Sequence, residues 1–330
     1  MPRIPETKAA AARALLAQAI AAEIARPVTD EAAALSQALQ QRHGGNVAAT
    51  LFYGSCLRPP TEDSIGPGGA DERLYDFYLI VDDLRAANPN AALALGNRIL
   101  PPNIFYIETP FREGTLRAKY AVLTLAQFVH GCSTRHFHNY FWGRFAQPAA
   151  IPHARDSATR RALEGALGQA IVTLLGNTAP LLGGRFTVEQ LWTRAFAESY
   201  RCELRPESSE RARHLFAADE PRYQALAQPA LQAAGIDAQI HGAGLADDCQ
   251  QGDAWRARRD WFWRRVAGKT FNVLRLIKAA FTFAGGVDYI LWKIERHSGI
   301  RPELTPWQRR HPLLAGPFLA LRYWRRGAFR

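Results

Sequence analysis

Four short runs of β-type residues lie close together between two stretches of helical texture, and this arrangement restricts the fold more than any other feature. The runs are VAATLFY (47–53), LYDFYLIV (74–81), NIFYIE (103–108) and LRAKYAVLTL (116–125). Each is rich in β-branched or aromatic residues and is bounded by turn residues. Between the second and third, AALALGNRI (91–99) has helical spacing and is enclosed by Asn88-Pro89 and Pro101-Pro102. Four strands with one crossover helix predict a small mixed sheet. Upstream, residues 6–25 and 30–42 read as helices broken at Arg26-Pro27, the second capped by Thr29 or Asp30. Downstream, Thr124-x-x-Gln127 and Thr187-x-x-Gln190 are capping boxes. Helical segments are expected near 134–145, 157–175, 188–200, 207–217 and 220–234, with a small, polar linker at Gly235–Gly252. The expected fold class is therefore α+β: a small mixed sheet with flanking helices, then a mostly helical domain, then a basic C-terminal segment. The expected divisions are 1–150, 151–245 and 246–330.

Charge is distributed unevenly. Residues 251–330 hold 17 Lys+Arg against 5 Asp+Glu, while residues 1–250 hold 24 against 25. The last quarter also carries six of the eight tryptophans (Trp255, Trp261, Trp263, Trp292, Trp307, Trp324). Arginine interleaved with tryptophan and leucine over 253–299 and 311–330 gives an amphipathic pattern suited to an anionic membrane surface, and the tryptophan content favours lipid over nucleic acid. The 330 residues contain no run of eighteen apolar ones, so no spanning helix is expected. Cys56, Cys132, Cys202 and Cys249 are widely separated and form no CxxC pair, which argues against a zinc knuckle or a disulfide framework. Glu6, Lys8, Arg13 and Glu23 interrupt the Ala-rich N-terminus, so a helix rather than a signal peptide is expected there. The expected localisation is cytoplasmic, peripheral on the inner face of the membrane. His130, His136 and His138 read as loop or helix-surface histidines, because no acid or cysteine accompanies them at ligand spacing.

The chemistry is concentrated in LFYGSCLRPP (51–60) and ERLYDFYLIVDD (72–83). A strand running into Gly54-Ser55 turns sharply and offers backbone N–H groups and a hydroxyl to phosphate oxygens. On the following strand, Asp76, Tyr78, Ile80 and Asp82 share one face. Carboxylates beside a phosphate cradle predict a Mg²⁺ site. Asp76 is the principal ligand, with Asp82, Asp83 and Glu108 as candidates for a second carboxylate near a strand end. Lys119 is one of five lysines in the chain and falls mid-strand, where an ammonium would neutralise a triphosphate.

The order of strand, Gly-Ser, variable loop and acidic strand resembles the DNA polymerase β-like nucleotidyltransferase superfamily. Further segments resemble one branch of it, the mitochondrial-type phosphatidate cytidylyltransferases, which are peripheral CDP-diacylglycerol synthases. The matching segments are Tyr53-Gly54-Ser55-Cys56, Asp76 to Asp83, Gly114 to Val122 with Lys119-Tyr120-Ala121-Val122, HNYFWGRFAQPAA (138–150), and Phe186 to Arg205 with Ser199-Tyr200, Glu203 and Arg205. Looser matches fall at Lys278, Ala284-Gly285, Tyr289 and Lys293. The likeness spans about residues 50–205 in order. Departures are Cys56 in place of a glycine, Gln147 in place of a lysine, Ala121 in place of a glycine, and Arg201-Cys202-Glu203 where Gly-Asp is usual.

The resemblance implies a nucleotidyltransferase-type sheet, a following helical domain of winged-helix-like type, and Mg-dependent transfer of a cytidylyl group from CTP to phosphatidate. It implies that Gly54, Ser55 and Lys119 hold the triphosphate and that Asp76 holds metal. It places Arg144, Arg205 and Lys278 near nucleotide or lipid phosphate. The alternatives are another acceptor, such as a polyprenyl phosphate, tRNA or a small metabolite, and a catalytically inactive membrane-binding relative.

Overall fold

The computed structural model describes residues 4–57, 73–203, 209–237, 239–241, 244–246, 251–282, 305 and 307–308. Its described part is α+β and 63% helical, with eleven helices and a five-stranded mixed sheet. Helices α1 (Glu6–Ile24) and α2 (Asp30–His43) come first, and the Thr29 side chain accepts from Ala32 N to cap α2. The sheet is then laid down by β1 (Val47–Tyr53), β2 (Leu74–Val81), β3 (Asn103–Phe111) and β4 (Gly114–Thr124), with α3 (Leu84–Ala87) and α4 (Ala91–Ile99) between β2 and β3. A short α5 (Leu125–Cys132) and α6 (Trp142–Phe145) lead to β5 (Ala149–Ala154).

The strand order is β3-β4-β2-β1-β5. Strands β2 and β4 run parallel, and the other neighbouring pairs are antiparallel. The parallel pair requires the crossover, which α4 provides. Strand β5 is the strand of this sheet that the sequence pattern misses. It is short, contains Pro152 and lies at the sheet edge, the position where a missing N–H is tolerated. Conversely, the helix expected over 134–145 is reduced to α6, because residues 133–141 are held in turns, with Trp142 Nε1 donating to His136 O at 3.1 Å.

Each sheet face has its own cover. Phe52, Tyr75, Phe77, Leu79, Phe105 and Tyr120 pack under Ala32, Leu35 and Leu39 of α2. Leu51, Tyr78, Ile80, Ala121 and Leu123 face the helical region instead. That region is built on α7 (Ser157–Leu182), which runs seven residues past its expected end, and on α8 (Val188–Arg201), α9 (Ser209–Ala217) and α10 (Glu220–Ala233). By length and composition α7 is the one described helix that would span a membrane, but 67% of its apolar window is buried inside the fold. It packs against α1, α5, α6, α8, α10 and α11 (Gln251–Thr282), so it is apolar all round because it has neighbours all round. The expected linker at 235–252 carries β7 (Gln239–His241) and β8 (Gly244–Ala246), which form a three-stranded sheet with β6 (Arg185–Phe186).

One apolar cluster extends from Ala12 of α1 to Trp261 of α11, across the divisions expected at 150 and 245. The basic helix α11 is therefore part of the core along one face. Trp261 is fully buried, donates to Asn177 O at 2.8 Å and meets Trp142 edge-on at 5.8 Å. Arg264 binds Phe137 O and Asn177 Oδ1, and Arg275 Nε binds Pro101 O at 3.0 Å. On the other face Trp255 and Trp263 are 62% and 55% exposed, beside exposed Phe262, Val266, Val273 and Leu274. Trp292 and Trp324, like the segment 311–330, lie outside the described residues.

The histidines read as surface groups meet one another edge to face. The His136 ring lies 5.2 Å from His130 and 4.2 Å from His138, which rests 5.0 Å from Phe271. Burial and neighbouring positive charge push His136 down to about 4 and His138 to about 3. Both are depressed below the unfolded value near 6.5, so in acid the unfolded chain takes up protons that the folded chain refuses. Stability should therefore fall as pH drops from about 6.5 toward 4. Melting temperatures measured from pH 7.5 to 5.0 should decline, and His138→Gln should flatten the decline.

Candidate active site

A cavity of about 590 Å³ opens between the sheet and the helices. Its sheet wall follows from register. Tyr53 is opposite Asp76 across β1 and β2, and Asp76 is opposite Lys119 across β2 and β4. The turn after β1 therefore abuts the carboxylate. Gly54 has φ +91°, and a Cβ there would come within 3.0 Å of Asp76 Oδ2. Glycine is required twice over, for the left-handed backbone and for the close approach. Ser55 opens a 3₁₀ turn, Ser55–Leu57, and Leu57 N donates to Gly54 O at 3.1 Å. Lys119 Nζ is 2.9 Å from Asp76 Oδ1, with the two side chains 34% and 20% exposed. Gly54→Ala should thus swing the turn off Asp76. Thermal melting should report a loss of about 1–2 kcal/mol.

The opposite wall comes from α6, α8 and α9. Gly143 lets α6 lie against α8, since a Cβ there would meet Ser199 Oγ at 2.2 Å. Asn139 Nδ2 donates to Ser199 O and Oγ at 2.9 and 2.8 Å, fixing the same junction. Arg144 is thereby aimed into the cavity. Its Nη1 donates to Tyr78 Oη at 2.9 Å, its Nη2 lies 3.6 Å from Glu203 Oε1, and it stacks on Tyr140 at 4.6 Å from the ring centroid. Arg275, from α11, covers Tyr140 at 3.8 Å. Burial opposes ionisation of Tyr140, but the charges of Arg144 and Arg275 outweigh it and lower the phenol below its ordinary value. The neighbouring Tyr78 is pushed the other way, chiefly by burial.

The structure thus brings Gly54, Ser55, Asp76, Lys119 and Arg144 to one cavity. It separates others from it. Asp82 and Asp83 follow the far end of β2, roughly 20 Å along the strand from Asp76 at about 3.3 Å per residue. Asp82 is taken by both Arg155 Nη atoms, and Asp83 caps α3 by accepting from Arg85 N and Ala86 N. Glu108 accepts from Tyr106 Oη at 2.6 Å and Arg117 Nε at 3.2 Å on β3, outside the cavity lining. Lys278 also lies outside the lining. Its ammonium donates to Leu100 O and to Pro102 O at 2.9 Å, fastening α11 to the turn before β3, and burial lowers it to about 8. Arg205 lies outside the described residues.

In their place the cavity supplies Glu203, Tyr140, Tyr200, Arg211 and His214. Glu203 and Ser199-Tyr200 were visible only through the family likeness. Arg211 and His214 had no sequence signal.

Among the described residues no group of three His, Cys, Asp or Glu forms a metal-binding set. Magnesium does not need one, because it commonly binds one or two carboxylates together with substrate phosphates. Asp76 fits that role. Its Oδ1 is buried and accepts no well-aligned hydrogen bond, only the Lys119 ion pair, and a glycine leaves room beside its Oδ2. The arrangement offers one carboxylate for a cation, a turn and an ammonium for phosphate oxygens, and a basic, tyrosine-lined wall across from them. No model of a known protein family and no curated protein matches the chain.

Proposed function

We propose that the chain is a magnesium-dependent nucleotidyltransferase that moves a cytidylyl group from CTP to phosphatidate, giving CDP-diacylglycerol and pyrophosphate. The observation that carries the reading is the meeting of the Gly54-Ser55 turn, Asp76 and Lys119 on adjacent strands at one cavity. The five-stranded mixed sheet with this turn after its first strand supports a nucleotidyltransferase-type domain. The small sheet β6-β8-β7 set against the helices supports a winged-helix-like second region.

In this reading the backbone N–H groups and hydroxyl of Gly54-Ser55 hold the distal phosphates, and Lys119 neutralises them as a point charge. Asp76 would hold the cation, which when bound would supply positive charge at the reacting phosphate. An ionised phosphate acceptor needs no base to remove a proton, in keeping with a site whose described carboxylates, Asp76 and Glu203, each face a cation. The exposed apolar and basic face of α11 supports docking on an anionic membrane, the inner leaflet in a cytoplasmic setting, and its tryptophans favour lipid over nucleic acid.

Purified protein given CTP, Mg²⁺ and phosphatidate should release pyrophosphate, and faster on anionic than on neutral vesicles. Release that ignores phosphatidate would overturn the acceptor. An absence of release under all these conditions would overturn the transferase.

A further inference from the structure

The chemistry above assigns no role to the face that α9 turns to the cavity. Arg211, His214 and Leu215 all line the cavity, and their spacing of i, i+3 and i+4 puts them on one helical face. The opposite face is anchored, with Ala212 and Phe216 buried in the core, so the basic face is presented from a fixed support. In the proposed reading the leaving pyrophosphate sits at the Gly54-Ser55 turn. In-line displacement requires the attacking oxygen to approach the α-phosphorus from the other side. The helices α8 and α9 line the same cavity, and Arg144 of α6 lines it between the sheet residues Tyr53 and Tyr78 and Glu203 after α8.

We propose that this helical wall is the seat of the acceptor's phosphomonoester, bound by Arg211, His214 and Arg144. The inference rests on the transferase reading and assigns its acceptor end. A guanidinium matches a terminal phosphate bidentately, and Leu215 and Tyr200 offer apolar surface to whatever the phosphate carries. The step balances without a base. An ionised oxygen of the acceptor phosphate forms the new bond to the α-phosphorus, the bond to pyrophosphate breaks, and pyrophosphate leaves with the electron pair.

Calorimetric titration of the full chain without nucleotide tests this, with dihexanoyl phosphatidate as the soluble phosphomonoester and dihexanoylglycerol as its phosphate-free counterpart. Wild type should bind the first and not the second. Arg211→Ala should weaken phosphatidate at least about tenfold, Arg211→Lys should recover only part of the loss, and Mg–CTP affinity should stay unchanged in both variants. If Arg211→Ala binds phosphatidate as wild type does, or loses Mg–CTP equally, the seat is not on α9. Failure of wild type to bind phosphatidate at millimolar concentration overturns it as well. Equal binding of sn-glycerol 3-phosphate would keep the phosphomonoester seat and show that acyl chains add nothing. Arg211-dependent phosphatidate binding in a protein that ignores Mg–CTP would keep the seat while sinking the transferase reading.

Discussion

Asp76→Asn should lower the proposed nucleotidyl transfer by at least about 10²-fold while leaving the fold intact. The substitution keeps the shape of the side chain and removes the charge that would hold a cation against the nucleotide, and losing electrostatic stabilisation of this kind typically costs two to three orders of magnitude or more. The partner matters to the interpretation. Asp76 and Lys119 form an ion pair at 2.9 Å, and a purely structural pair would behave differently from a catalytic one. In the structural case, removing one partner strands the other, and removing both restores stability. The double variant Asp76→Asn/Lys119→Met therefore separates the two. Stability should recover relative to the single variants, whereas turnover should stay lost. Pyrophosphate release measured beside thermal melting reads both quantities from one sample.

The second large effect is on stability. Trp261→Ala should cost about 3–5 kcal/mol, because it removes a fully buried indole, its hydrogen bond to Asn177 O and its edge contact with Trp142. For a chain of this size that corresponds to a fall in Tm on the order of 5–10 °C. Trp263→Ala, two residues away on the exposed face, should stay within about 0.5 kcal/mol of wild type. The contrast tests whether α11 belongs to the core along one side while the other side stays free for a surface. If α11 were a loosely attached foot, both substitutions would be equally mild.

The capping signals in the sequence survive folding residue for residue. Both capping boxes form, with Thr124 and Thr187 accepting from Gln127 N and Gln190 N, and α4 covers the expected Ala91–Ile99. The Gly54, Ser55, Asp76 and Lys119 set was legible because each residue sits in a strand or at its end, and strand periodicity assigns a face. Periodicity does not assign distance along the face. Asp82 has the parity of Asp76, yet it lies six residues farther along and is paired with Arg155. Glu108 and Lys278 illustrate the same limit from the other direction. Their charges are consumed by Arg117 and by the carbonyls of Leu100 and Pro102, partners that only tertiary structure supplies. The contribution of Tyr140, Arg211 and Arg275 depends on how α9, α11 and the turn before α6 converge, and no spacing within one segment encodes that convergence.

The most direct test of the central claim is calorimetric titration of Mg–CTP into wild type and into Asp76→Asn. The account predicts submillimolar binding by wild type that disappears when EDTA removes the cation, and no measurable binding by the variant. Binding that is indifferent to both the cation and Asp76, or no binding by wild type at millimolar nucleotide, would contradict it.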